Sequence, residues 1–321
     1  MPSPAARWNP QNLPPAHGKV FVVTGGHAGI GYFISEQLAR TGATIVMASR
    51  SEAKAQNAMT AIRARVPGAE VSYLHLDLSS LSSIAQTAAT LGTWPRVDAL
   101  VLNAAAILTD TRTETADGNE TVFGVNAVGN FALAAQSMSA LERTVGSRLI
   151  TLASIAPRLA GLRTLDLANL NSTSGVYQRF PTYARSKLAQ MLIALELDRR
   201  LRDGDSHIAS VLAHPGGAQD GLSPRRAGVL EPTRSQRAKT FALLPVAQGK
   251  DRGAWPIVRA VLDPAVEGGQ FWGPRLWSSI GQPRLETPRG VIRSIGLLRD
   301  DSLARATWDA TQQLAGVTWR V

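Results

Sequence analysis

Residues 20–31 read Val-Phe-Val-Val-Thr-Gly-Gly-His-Ala-Gly-Ile-Gly, and no other stretch restricts the fold so strongly. An apolar, β-branched run stops in glycines and restarts as a helical pattern at Ile34 and Leu38, which spells a buried strand, a tight turn and a helix N-terminus. Glycine takes backbone conformations closed to other residues and lets a ligand come close, while the free N–H groups of a first helical turn form an anion site. The turn suits a pyrophosphate. Its spacing, Gly25, Gly29 and Gly31, is not G-x-G-x-x-G, so on these residues alone an ordinary strand-to-helix turn stays open.

After Thr41-Gly42 as a helix stop, residues 43–48 form a second apolar strand that ends at Ser49-Arg50, completing a βαβ unit. In such units an acidic residue at this point meets the ribose hydroxyls of NAD, whereas an arginine accommodates the extra phosphate of NADP. Here Arg50 stands in that place, with Lys54 one turn on and no carboxylate in Ala48-Ser49-Arg50. A solvated helix start is the alternative, and the missing carboxylate favours the phosphate.

Further strands are expected at residues 71–76, 97–102, 148–153 and 208–213, with a long small-residue helix over 121–141. Asp77 closes the third strand as either a ligand contact or a turn residue, before a helix capped by Ser79 or Ser80. Asn103-Ala104-Ala105-Ala106 leaves room for something flat beside the sheet, with tight helix packing as the alternative. Asn126, inside an apolar helix, needs a partner. Ser154 arrives at the carboxyl end of the fifth strand, where open α/β sheets bind ligands. Tyr183 opens a periodic helix running to about Arg202, and Lys187 shares its face. A cation beside a phenol favours the phenolate, so this pair is placed to pass protons. The alternation of strands and helices predicts an α/β fold, a doubly wound, mostly parallel sheet with helices on both faces.

Composition narrows the class. A chain of 321 residues with 44% hydrophobic content fits one large domain with a sizeable core. The absence of cysteine removes disulfides, thiolate nucleophiles and cysteine-ligated metals, and the five histidines lack clustered ligand spacing, so no metal site is expected. A net charge of +10 would suit nucleic acid, but the 34 basic residues are spread along the chain and read as solvated surface. No apolar run approaches the roughly 18 residues of a spanning helix. The proline-rich start lacks a signal pattern, which predicts a cytoplasmic, unanchored protein.

Taken together, Thr24-Gly-Gly-His-Ala-Gly-Ile-Gly31, Asn103-Ala-Ala-Ala, Asn126, Ser154 and Tyr183-x-x-x-Lys187 resemble the short-chain dehydrogenase/reductase superfamily. Ala48-Ser-Arg50, Leu76-Asp-Leu-Ser-Ser-Leu81, residues 117–126, residues 166–171 and Arg185-Ser-Lys-Leu188 resemble its retinol dehydrogenase and protochlorophyllide reductase-like branch. The resemblance covers residues 19–217 and implies a Rossmann-type NADP-binding domain. It makes Tyr183 the acid/base, Ser154 the donor to the substrate oxygen, Lys187 the group that lowers the phenol pKa and binds ribose, and Asn126 the holder of a relay water. It assigns the cofactor to Gly25, Gly29, Ile30, Gly31, Arg50, Lys54, Asp77, Leu78, Asn103, Ala104, Tyr183, Lys187, Pro215, Gly216 and Ala218. The implied activity is NADP(H)-dependent hydride transfer between nicotinamide and a carbonyl or secondary alcohol, a carbonyl reductase or alcohol dehydrogenase. The partner is a small-molecule substrate, with no nucleic acid, no membrane, and room for a homodimer. The alternative is a non-catalytic nucleotide sensor or scaffold on the same fold, against which the full proton-handling set argues.

Two positions depart from the family. Ala105 replaces the final glycine of its Asn-Asn-Ala-Gly, and Asp220 occupies the slot of a threonine that steadies the nicotinamide amide. Asp220 is therefore left out of the cofactor residues. Residues 1–18 are expected as an extended arm with Trp8 docking on the body, and 19–321 as the single domain. Residues 221–253 are expected as a substrate lid, in which Leu222, Val229, Leu230, Leu243 and Leu244 bind a fairly large, mostly apolar substrate. Arginines including Arg225 and Arg226 would orient its polar end. A last strand is expected over 268–273 and a final helix over 301–315, and Trp272, Trp277 and Trp308 are read as packing residues.

Overall fold

The computed structural model describes residues 8–286 and 295–319, so residues 1–7 of the expected arm lie outside the described part. In chain order the elements that matter here are β1 (Val20–Thr24), α1 (Gly29–Ala39), β2 (Thr44–Ser49), α2 (Glu52–Arg63), β3 (Val71–His75), α3 (Leu81–Gly92) and β4 (Ala99–Leu102). There follow α4 (Thr121–Phe123), a π turn (Gly124–Gly129), α5 (Asn130–Gln136), α6 (Met138–Glu142), β5 (Arg148–Leu152), α7 (Ala156–Leu159), α8 (Arg179–Asp203) and β6 (Ala209–Ala213). The last part holds β7 (Ala218–Gln219), α9 (Arg234–Phe241), β8 (Gln248–Gly249), α10 (Lys250–Gly253), α11 (Trp255–Leu262), β9 (Phe271–Leu276), β10 (Ile280–Leu285) and α12 (Asp301–Ala315).

Eight strands form one sheet in the order β10-β9-β6-β5-β4-β1-β2-β3, parallel except for β10. Alternation along β1 assigns the two faces. Val22 packs with Leu100, Leu149, Phe131, Leu188 and Trp308 on one side, while Phe21 and Val23 pack with Ile34, Leu38, Met59 and Ile257 on the other. A doubly wound sheet follows because strands buried on both faces need helices over each. Trp8 lies half-buried against the second of these layers, with the Arg259 guanidinium 5.7 Å from its ring centroid.

Three expectations are corrected. The single helix expected over 121–141 is interrupted, because Gly124–Gly129 forms a π turn. Gly129 lies so close to the Leu78 carbonyl that a Cβ would overlap it, and Asn126 is tied to the backbone of Ala106, so the helix bulges to meet both. The last strand is a hairpin. Trp277 and Ser278 both take positive φ and Ser279 N–H donates to Leu276 C=O at 2.9 Å, the geometry of a tight turn that matches strand twist. Trp277 is thus 71% exposed at the hairpin tip, whereas Trp272 and Trp308 are buried.

The third correction concerns Arg226, which does not face a ligand. Its guanidinium makes a two-point contact with Glu36 of α1, Nη2 to Oε1 at 2.9 Å, and both side chains are buried. Arg225 pairs with Glu231. Val229 and Leu230 pack on the α1 layer, while Phe241, Leu243, Leu244 and Val246 are exposed.

Candidate active site

At the carboxyl ends of β1, β4, β5 and β6 the fully buried strands give way to half-buried residues: Gly25, His27 and Gly29, then Asn103 to Ala106, Ser154, and Pro215 to Asp220. These ends face the point where the strand order reverses, with β1 beside β4 although β2 and β3 intervene in sequence. Open α/β sheets have their ligand crevice at such a point because consecutive crossovers there lie on opposite faces.

The glycine turn is held open by Thr24 and Asn103. Thr24 Oγ1 donates to Val101 C=O at 3.2 Å and accepts from Asn103 N–H and Ala104 N–H, and Asn103 Nδ2 donates to Thr24 C=O at 2.7 Å. Asn103 therefore spends its amide on the turn itself. Gly25 and Gly29 have positive φ, and a Cβ on Gly31 would overlap the Gly25 carbonyl, so the backbone approach requires glycine at all three. Ile30 packs back on the α1 layer. Helix α1 begins at Ala28 with no side-chain cap and no acidic residue in its first turn, leaving its N–H groups for an anion.

Arg50 and Lys54 are exposed at the end of β2 and the start of α2. His27 of the turn is close enough to feel both. Burial lowers its pKa first, and the charges of Lys54 and Arg50 lower it further, while its Nδ1 is buried without a hydrogen-bond partner. His27 is not among the residues expected from the sequence, although its place inside the glycine turn is a signal. Asp77 folds back, accepting from Ser79 N–H at 2.9 Å and Ser79 Oγ at 2.6 Å, and Leu78 is buried in the core. Ser80 is the helix cap. Ala218 pairs in β7 with Gln248, Pro215 C=O accepts from Gln248 Nε2, and Gly216 has positive φ.

The proton-handling residues meet where β5 faces α8. Helix α8 starts at Arg179, which puts Tyr183 in its second turn rather than at its opening. Ser154 Oγ accepts from Ala156 N–H at 3.1 Å and lies near enough to the Tyr183 phenol to influence it. Burial raises the phenol above its ordinary value and the Ser154 hydroxyl opposes this. The expected lowering by Lys187 is not what the geometry gives. Lys187 is buried, with Nζ donating to Leu152 C=O at 3.0 Å and to Gln190 Oε1 at 2.9 Å, and desolvation brings it down to about 7. Desolvation works against the charged form of Lys187, and only the charged form could lower the phenol. Gln190, one turn beyond Lys187, was not singled out from sequence because its role depends on where Nζ turns.

Asn126 is likewise engaged. Its Oδ1 accepts from Ala106 N–H at 2.8 Å, and its Nδ2 donates to Ala106 C=O at 3.0 Å and to Ser186 Oγ at 2.9 Å. Ser186 Oγ in turn donates to Tyr183 C=O at 2.8 Å. The side chain therefore clamps the β4 extension to the second turn of α8 rather than standing free to hold a water.

The Lys187 burial has a measurable consequence. Its folded-state value near 7 lies below the ordinary 10.5, so between these the unfolded chain keeps a proton that the folded chain sheds, and this group's contribution to stability rises with pH across that window. Denaturant titrations from about pH 7 to about pH 10 should show the wild type gaining on Lys187→Met. Parallel curves would contradict the desolvated ammonium.

A family model described as short chain dehydrogenase matches residues 19–164. Polyprenol dehydrogenase of Mus musculus is 33% identical over 313 residues, covering 96% of this chain and 87% of the relative. Retinol dehydrogenase 14 of Homo sapiens is 30% identical over 320 residues, covering 94% and 87%. The crystal structure of an uncharacterized protein from Mycobacterium Paratuberculosis, 28% identical, aligns with a TM-score of 0.76 over 98% of this chain and 99% of that one.

Proposed function

The chain belongs to the short-chain dehydrogenase/reductase superfamily, in its retinol dehydrogenase-like branch, and on that premise we propose that it is an NADP(H)-dependent oxidoreductase. It moves a hydride between nicotinamide and the carbonyl or alcohol carbon of a fairly large, mostly apolar substrate. The observation that carries this reading is the juxtaposition of Ser154 and Tyr183 with a glycine turn whose helix N-terminus is uncapped. The residues fit a dinucleotide: glycines required by positive φ or by lack of room for a Cβ, orphan N–H groups, and a buried, unpartnered His27 Nδ1 on a ring that feels the charges of Lys54 and Arg50. Gly25, Gly29 and Gly31 would hold the diphosphate, and Arg50, Lys54 and His27 the 2′-phosphate of the adenosine ribose.

When bound, the nicotinamide supplies or accepts the hydride. In the reductive direction Tyr183 Oη passes its proton to the substrate oxygen as charge develops there, and Ser154 Oγ donates a hydrogen bond to the same oxygen. Raised by burial, the phenol holds its proton at neutral pH until the oxygen becomes basic enough to take it. Lys187 uses two of its N–H groups on Leu152 and Gln190, leaving one for a ribose hydroxyl. Asn126 acts by keeping α8 in register with the β4 extension. Two relatives are named for polyprenol and retinol, both long apolar alcohols. Together with the exposed Phe241, Leu243, Leu244 and Val246, this supports a long apolar substrate.

The test uses retinal as a long aldehyde, a short aldehyde as control, and both reduced cofactors. NADPH should support faster reduction of retinal than NADH does. Arg50→Ala should weaken NADPH binding by about tenfold to 100-fold, the scale of a charge-assisted hydrogen bond, and leave NADH unchanged. Equal use of both cofactors by the parent, or an unchanged ratio in the variant, would remove the NADP assignment.

A further inference from the structure

Helix α10 ties α1 to the turn and segment that follow β6. Asp251 C=O accepts from Gln37 Nε2 of α1 at 2.7 Å, and Lys250 N–H donates to Ser223 Oγ at 2.8 Å, which itself donates to Gln219 C=O at 2.7 Å. A Cβ on Gly253 would lie 2.9 Å from Ala218 Cβ and 3.3 Å from Pro215 Cβ, so the helix also rests on the turn after β6. This frame aims one side chain inward. Lys250 Nζ stands 3.5 Å from the point where a Cβ of Gly29 would be, over the first residue of α1. On its other side it pairs with Asp220 Oδ1 at 2.6 Å.

A cation over a helix N-terminus opposes the helix dipole, which makes its placement by a packed frame informative. Asp220 beside the same crevice would repel a diphosphate unless its charge were met. Each residue is out of place alone. With a diphosphate between Lys250 and the α1 N–H groups, both conflicts resolve, since the ammonium faces an anion and the carboxylate holds the ammonium.

We propose that Lys250 is a ligand of the dinucleotide diphosphate, meeting it over the start of α1, and that Asp220 is the positioning residue that tethers Lys250 there. The proposal rests on the nucleotide-binding reading of the site. It assigns a role to the carboxylate found where the family has threonine, and it draws a residue from the segment after β6 into the phosphate site.

Binding is measured without turnover, by fluorescence or calorimetry, with NADPH, ADP-ribose and adenosine 2′-monophosphate on the full chain. Lys250→Gln should weaken NADPH and ADP-ribose by about tenfold or more, the scale of a hydrogen bond to a charged group, and leave adenosine 2′-monophosphate unchanged. Arg50→Ala should do the reverse for the monophosphate, and Lys250→Arg should retain most of the affinity. In the Lys250→Gln background, adding Asp220→Asn should recover part of the loss, because an unpaired carboxylate no longer faces the diphosphate. If the pair were only a structural tie, Asp220→Asn and Lys250→Gln would lower thermal stability alike and weaken all three ligands together. That result, or ADP-ribose affinity within twofold of the parent in Lys250→Gln, would overturn the proposal. Failure of the parent itself to bind NADPH would instead overturn the nucleotide reading, and this proposal with it.

Discussion

Tyr183→Phe is expected to cut turnover by about 10²–10⁴-fold, the range of a lost general acid, while NADPH affinity stays nearly unchanged. The ring stays and only the proton donor leaves, so α8 keeps its packing. Ser154→Ala should fall in the same direction, because the hydroxyl that acts on the phenol and donates to the substrate oxygen is removed. Single-turnover rates of NADPH oxidation against retinal, with circular dichroism as a folding control, separate chemistry from binding. A Phe variant with near-parental turnover would mean that the proton comes from elsewhere.

The second large effect is on stability. Glu36 is 1% exposed inside α1, where burial would raise its carboxyl, but the hydrogen bonds and charge of Arg226, with Arg40 beside it, hold it below its ordinary value. Removing one partner of a buried pair strands the other, which costs about 3–5 kcal/mol. Glu36→Ala is expected to lose stability on that scale in urea denaturation, and a double-mutant cycle with Arg226→Met should recover part of it. Because the folded pKa is depressed, this contribution is present above the ordinary value of 4.5 and disappears as pH falls through the folded one. The gap between parent and Glu36→Gln should therefore narrow at acid pH. An unchanged gap, or a loss within the scatter of surface substitutions, would show that the pair is not what holds residues 221–232 on α1.

Where local pattern and tertiary demand agree, the sequence was readable. β1, β2, β5 and β6 fall within a residue or two of their expected limits, because short, largely apolar runs bounded by turn residues admit few alternatives. Ser154 and Tyr183 were legible from their places at a strand end and on a periodic helix. β10 was not, since Ile-Gly-Gln-Pro-Arg-Leu has neither alternation nor β propensity, and only its pairing with β9 makes it a strand. The turn that joins them uses Trp277 and Ser278 at positive φ instead of the usual Asn-Gly, so the hairpin signal was absent. Lys250 could not be placed at Gly29 from a segment expected as a substrate lid, because only the fold brings α10 and the start of α1 together. The orientation of Lys187 toward Leu152 and Gln190 is equally a matter of three dimensions. Helical spacing says which residues share a face, not which atom a long side chain will reach.

The π turn at Gly124–Gly129 bears on how this chain tolerates length changes. A π turn holds one residue more than the α-helix that would otherwise fill the same span, so it is a store of slack in an otherwise rigid element. Deletion of a single residue there can be absorbed by reverting to α-helical bonding, and the two ends of the helix would keep their places. The reversion would turn the intervening side chains by about 100°, one residue's step around the helix. Asn126 would then leave Ala106 and Ser186, which puts the cost of such a deletion in the alignment of α8 with the sheet edge rather than in the core.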